Sequence, residues 1–293
     1  MDFDAVLIPA REEAMLNQGF WLNQPILDFL RSAVEKNPDK IALVSVKVEN
    51  QTEQTFSYQQ LWDMTNNIAL GLKQLGVAKN DVVSCQLPNW WELTLLYLAC
   101  SHIGAVLNPL MPIFRERELE FMLKHGESKV FVVPKMFRNF NHEQLANQLQ
   151  NKLESLKHVV VVNGEGENNF DRLLLNHGLE QDASAVAALD GLESGPDDIT
   201  QLIFTSGTTG EPKGVMHTAN TLFSNIVPYA KRLHLTENDV VLMASPMAHQ
   251  TGFMYGLMMP IQLNTKVVLQ DVWDVAKAVD LIHQHQVNFT MAS

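Results

Sequence analysis

Short runs rich in valine, isoleucine and leucine recur along the chain, and stretches with three-to-four-residue apolar spacing separate most of them. The runs include residues 41–48, 82–87, 105–110, 129–133, 158–162, 200–206, 239–244 and 266–270. Such alternation predicts an α/β fold: mixed, largely parallel sheets flanked by helices. The closing run, VNFTMAS, reads as one more buried strand, after which a crossover is expected.

Punctuation between the runs fits this reading. Ser57 with Gln60 forms a capping-box pattern, Leu61, Met64, Ile68, Leu72 and Leu75 give the helix an apolar stripe, and Gly76 suits its end. Asn89 with Glu92 is expected to cap the next helix, which Gly104 ends. Further helices are expected over 115–125, 141–156, 219–233, 253–261 and 273–285, the one from 219 being kinked or shortened at Pro228. Residues 164–169 read as an exposed loop. The weakly periodic stretch 181–198 predicts a linker between a first α/β subdomain, 1–180, and the start of a second, 199–293.

Composition excludes several functions. A formal charge of −12 argues against nucleic acid, whose phosphates demand a basic face. Small anions remain possible, because backbone N–H groups and one or two cations can hold them. Cys85 and Cys100 lie in apolar stretches and read as buried reduced thiols, and no Cys/His spacing suggests a metal site. His283 and His285 read as surface residues, and His102 as packed near a helix end. The first twenty residues lack the basic start and apolar run of a secretory signal. The apolar stretch 93–113 is interrupted by Ser101, His102, Asn108 and Pro109, so no transmembrane segment is expected and the location expected is cytoplasmic.

The chemistry concentrates at 202–215, where a buried strand runs into Thr205, Ser206, Gly207, Thr208, Thr209, Gly210, Glu211, Pro212, Lys213 and Gly214. Glycines let backbone N–H groups approach an anion, hydroxyls donate to phosphate oxygens, and Lys213 supplies a point charge. A Walker A loop is excluded, since Pro212 precedes the lysine and Gly214 follows it. The plain alternative is a flexible turn with an exposed lysine. Strand context and hydroxyl density favour an anion-cradling loop.

TSGTTGEPKGV is similar to the phosphate loop of the adenylate-forming superfamily, which includes acyl-CoA synthetases, peptide-synthetase adenylation domains and luciferases. The stretches beginning at Ser57 and Tyr97, and residues 239–256, resemble other blocks of that family, nearest to short- and medium-chain fatty acyl or cyclic-acid CoA ligases. The resemblance implies the large amino-terminal domain of that fold. It also implies activation of a carboxylic acid by ATP and Mg2+ to an acyl-AMP, then transfer to coenzyme A. On it, Thr205 to Gly210 and Gly214 hold the ATP phosphates, and Lys213 neutralises departing pyrophosphate.

Pro246-Met247-Ala248-His249-Gln250-Thr251-Gly252 resembles the family's Pro-x-x-His-x-x-Gly segment, so His249 and Gly252 are expected beside the acyl and thiol channels. Ala248 departs from the aromatic residue common there. Met254 and Tyr255 read as core, with the acyl-pocket wall as the alternative, and Arg115 and Arg117 as a solvated helix face. The family's Tyr-Gly-x-Thr-Glu and Thr-Gly-Asp segments and its late lysine are absent, and the expectation is that they lie beyond Ser293. The alternatives are a non-catalytic remnant that at most binds nucleotide, and an amino-acid adenylation domain.

Overall fold

The computed structural model describes residues 8–205 and 212–292. Its strands are β1 (Ile41–Lys47), β2 (Thr52–Ser57), β3 (Val82–Cys85), β4 (Val106–Pro109), β5 (Ser128–Pro134), β6 (Met136–Phe137), β7 (Phe140–Asn141), β8 (His158–Val162), β9 (Ile199–Thr205), β10 (Lys213–Thr218), β11 (Val240–Met243), β12 (Lys266–Gln270) and β13 (Phe289–Thr290). A six-stranded sheet runs β10-β9-β4-β3-β5-β8 and a five-stranded sheet runs β13-β11-β12-β1-β2. All pairs within them are parallel except the terminal pairs β9–β10 and β1–β2. The expected mixed, largely parallel α/β fold is what forms.

Neither sheet is confined to one side of the boundary expected at 181–198. The six-stranded sheet joins β3, β4, β5 and β8 to β9 and β10, while the five-stranded sheet joins β1 and β2 to β11, β12 and β13. Residues 181–198 are tied down as they cross. Glu193 pairs with Arg31 and His102, and Ser194 N–H donates to Ser101 O at 2.8 Å.

Between the sheets lies the helix Trp91–His102, which contacts β1 on one side and β4 and β9 on the other. Every one of its residues is buried. A helix apolar all round is the expected occupant of such a layer. One apolar cluster runs through it, holding Leu43 and Leu269 from one sheet and Val83 and Leu107 from the other. Its single acid, Glu92, meets Lys47 Nζ at 3.2 Å, and Lys47 also sits 3.9 Å from the Trp90 ring centre. Burial raises the Glu92 pKa and Lys47 opposes that rise.

Local signals hold well where they concern helix ends. Ser57 and Gln60 form the reciprocal capping box at 3.2 and 2.8 Å, and Gly76 ends that helix at φ +78°. The helix Ala219–Arg232 continues through Pro228, and the apolar helix begins at Gln250 and runs to Leu263. Both cysteines are free and buried. His283 is exposed, but His285 is half-buried with Nε2 3.2 Å from Glu53 Oε1, which corrects its surface reading. The closing run forms only the two-residue strand β13.

Gln86, following β3, ties loop and helix together. Its Nε2 donates to Met111 O and Phe114 O, both at 3.0 Å, and its Oε1 lies 2.9 Å from His142 Nδ1. Burial first, and Arg115 second, push the His142 pKa down to about 4. Between the usual His value near 6.5 and about 4, the unfolded chain therefore binds a proton that the folded one refuses. Stability should fall as pH drops through that window, by up to ~3 kcal/mol in the limit. Urea unfolding of the wild type and His142→Gln at several pH values should show the slope flattened in the variant.

Candidate active site

Both candidate segments follow the carboxyl ends of strands, where open α/β sheets bind ligands. β9 and β10 form a hairpin in which Thr205 pairs with Lys213 and Phe204 with Gly214. The sequence reading took Lys213 and Gly214 as loop; they open an antiparallel edge strand instead. Ser206, Gly207, Thr208, Thr209 and Gly210 lie outside the described residues. The connection's two ends are thus held one strand spacing apart, roughly 5 Å. Thr205 and Lys213 are both exposed, and among the described residues no carboxylate pairs with the Lys213 ammonium. A cation without a carboxylate partner among the described residues, beside a connection rich in glycine and threonine, is of the chemistry that binds polyphosphate.

His249 caps the helix starting at Gln250. Its Nδ1 accepts from Thr251 N–H at 3.4 Å, and the exposed ring makes no further hydrogen bond among the described residues. His249 N–H donates to Pro246 O at 3.0 Å, folding the segment onto itself. Gly252 explains why the turn can close. A Cβ there would stand 2.2 Å from Pro246 O and 2.5 Å from Ser245 O, backbone atoms that cannot rotate away.

The two segments belong to different sheets, and one side-chain bond links them directly. Gln250 Nε2 donates to Gln201 Oε1 at 3.0 Å. Gln201 is buried in β9, four residues before Thr205, so the histidine turn is anchored about 13 Å along the strand from the phosphate-loop candidate.

Asn89 plays a part the sequence reading missed. It does not cap the helix at Trp91; Trp90 occupies the N-cap position with no side-chain bond. The Asn89 amide crosses instead to the His249 segment, donating to Ser245 O at 2.9 Å and accepting from Met247 N–H at 2.8 Å. An Asn near a helix start signals a cap from sequence alone, and only tertiary contact reveals the other partner.

Beyond the histidine turn, Tyr255 is buried and hydrogen-bonded to Asn225 Oδ1, and its ring lies 4.6 Å from that of Tyr229. Burial raises the Tyr255 pKa, so the phenol is neutral at ordinary pH. Half-buried Tyr229, Met254, Phe289 and Met291 pack onto the same core cluster. Arg115 lies against the Phe140 ring at 3.9 Å and donates to Pro112 O at 2.8 Å, so its guanidinium is partly engaged by the protein. Among the described residues no group of three His, Cys, Asp or Glu side chains could hold a metal ion. These residues alone do not form a magnesium site, and no step is assigned to that ion.

Residues 30–293 match the AMP-binding enzyme family, and the chain belongs to that family. It is 32% identical over 276 residues to the medium-chain fatty-acid–CoA ligase of Escherichia coli (strain K12), an alignment covering 94% of this chain and 47% of that protein. It is 30% identical to the 2-hydroxy-7-methoxy-5-methyl-1-naphthoate–CoA ligase of Streptomyces carzinostaticus, covering 79% of this chain and 41% of the relative. Apo MbtA of Mycobacterium smegmatis superposes with a TM-score of 0.77 at 25% identity, covering 97% of this chain and 51% of that one. The long-chain-fatty-acid-CoA ligase FadD1 of Archaeoglobus fulgidus gives 0.76 at 22% identity, covering 92% and 52%. The chain spans about half the length of the curated relatives it matches.

The Gly252 contact gives a direct test of this geometry. Gly252→Ala should cost about 1–3 kcal/mol of stability through the backbone clash. Gly195→Ala, whose Cβ would meet only Asp198 Oδ2 at 3.5 Å, should be near neutral in the same denaturation series.

Proposed function

We propose that this chain forms the phosphate-binding and acid-binding part of an AMP-forming acid–CoA ligase acting on a short- or medium-chain fatty acid. The observation that carries the reading is the β9–β10 hairpin, which pairs exposed Lys213 with Thr205 at the neck of the Gly/Thr connection. The similarity to the medium-chain fatty-acid–CoA ligase of E. coli supports the acid class.

In the reaction proposed, a carboxylate oxygen attacks the α-phosphorus of ATP. The bond to the bridging oxygen breaks, and pyrophosphate leaves from an acyl-AMP. The thiol sulfur of coenzyme A then attacks the acyl carbon, giving a thioester and AMP. The connection's N–H groups and hydroxyls, Thr205 to Gly210 with Gly214, bind and orient the β- and γ-phosphates. Lys213 offsets charge gathering on the departing pyrophosphate, and such groups act mainly by positioning and electrostatics. His249, with its exposed ring, borders the acyl and thiol approach, and Tyr255 with Met254 walls the apolar side.

Isotope exchange between pyrophosphate and ATP, driven by acids of four to ten carbons, tests the reading. Lys213→Ala should lower exchange at least about tenfold, the scale of one lost charge-stabilising group, with the thermal melt unchanged. An absence of exchange in the folded chain would instead favour the non-catalytic remnant. Exchange with amino acids alone would favour an adenylation domain.

A further inference from the structure

Asn89 lies at a convergence of strand ends that no other side chain serves so fully among the described residues. Its Nδ2 faces three backbone carbonyls from the far sheet: Ser245 O at 2.9 Å, Gln270 O at 3.3 Å and Met243 O at 3.5 Å. Its Oδ1 accepts from Met247 N–H at 2.8 Å. The residue is buried, follows the strand β3 of the six-stranded sheet, and reaches the ends of β11 and β12 in the other. A carboxamide is suited to this position because it is neutral, donates on one side and accepts on the other. A carboxylate would direct negative oxygen at carbonyl oxygen.

We propose that Asn89 is the positioning residue of the His249 turn, its amide holding Ser245 and Met247 so that the His249 ring is presented between the two sheets. The importance of that presentation rests on the acid-activation reading; the positioning itself does not. Three restraints act between Ser245 and Gly252. Asn89 fixes the turn at Ser245 and Met247, the His249 N–H closes on Pro246 O, and Gly252 admits the Pro246 carbonyl from behind. Removing the amide releases the first restraint and leaves the other two.

Asn89→Asp is the informative substitution, because it keeps the shape and makes the restraint depend on pH. Protonated, the acid can donate to Ser245 O and accept from Met247 N–H as the amide does. Ionised, it can only accept. Burial among carbonyls raises a carboxyl pKa by up to several units, so the switch is expected between about pH 6 and about pH 8. The readout is the His249 ring signal in a 1H–13C spectrum, compared with wild type at each pH, with thermal melts alongside. Displacement at pH 8 that returns to the wild-type position at pH 6, while the chain stays folded at both, is the expected result. Exchange by the variant should be at least tenfold below wild type at pH 8 and recover with the signal. A His249 signal identical to wild type at pH 8 would overturn the proposal, as would a displacement that ignores pH. If the Asp variant does not fold, Asn89→Ser carries the same test: an undisplaced His249 signal overturns the proposal and a displaced one supports it. Wild-type chain without any exchange would count against acid activation only, since the spectra do not depend on turnover.

Discussion

The architecture depends on burying the helix Trp91–His102 on every side. Two sheets and the helices Ile26–Lys36 and Tyr58–Gln74 meet across it, and all twelve of its residues are buried. Each large apolar side chain so buried contributes roughly 1.5–3 kcal/mol, which outweighs the cost of desolvating Glu92. That acid is tolerated because Lys47 and the Trp90 ring accompany it. The helix is a shared layer, so the sheets cannot shift relative to each other without opening the core.

From this follows the interleaved topology. β1 pairs with β12 although about 220 residues separate them, and β4 pairs with β9 across the segment 181–198. Such non-local pairing must await closure of long loops. The linker-like composition of 181–198 belongs to the connection that returns the chain from β8 to β9 of the same sheet, held by Glu193 and Ser194, and composition alone does not distinguish such a crossover from a hinge between units.

What the sequence made legible was whatever is buried on both faces. β3, β4 and β5 read directly as apolar runs, because a central parallel strand meets a layer on each side, and so does the edge strand β8, whose last four residues are buried. The strands it hid are edges. β2 is Thr-Glu-Gln-Thr-Phe-Ser and largely exposed, and β10 is mostly half-exposed, so neither carries a run or an alternation. The β6–β7 hairpin turns on Arg138 and Asn139, both at positive φ, and no glycine announces it. In the candidate site, the Gly/Thr/Lys composition pointed to the phosphate loop and the strand-end placement to His249. Gln201, Gln250 and Asn89 stayed invisible, because a buried amide's partner is chosen by the fold and leaves no trace in spacing.

Those amides matter because the two halves of the candidate site lie on different sheets. Thr205 and Lys213 flank the candidate phosphate-loop connection of one, and His249 follows β11 in the other, 36 positions after Lys213 in the chain. Activation of an acid needs the carboxylate held near 3 Å from phosphorus, and an error of about 1 Å costs on the order of a hundredfold in rate. Apolar packing around the central helix fixes the sheets as bodies, but it is non-directional. Direction comes from hydrogen bonds: Gln250 to Gln201, and Asn89 to Ser245 and Met247. Buried and partly screened from water, such bonds have few competing partners. They convert a packed interface between sheets into a defined distance between two sites.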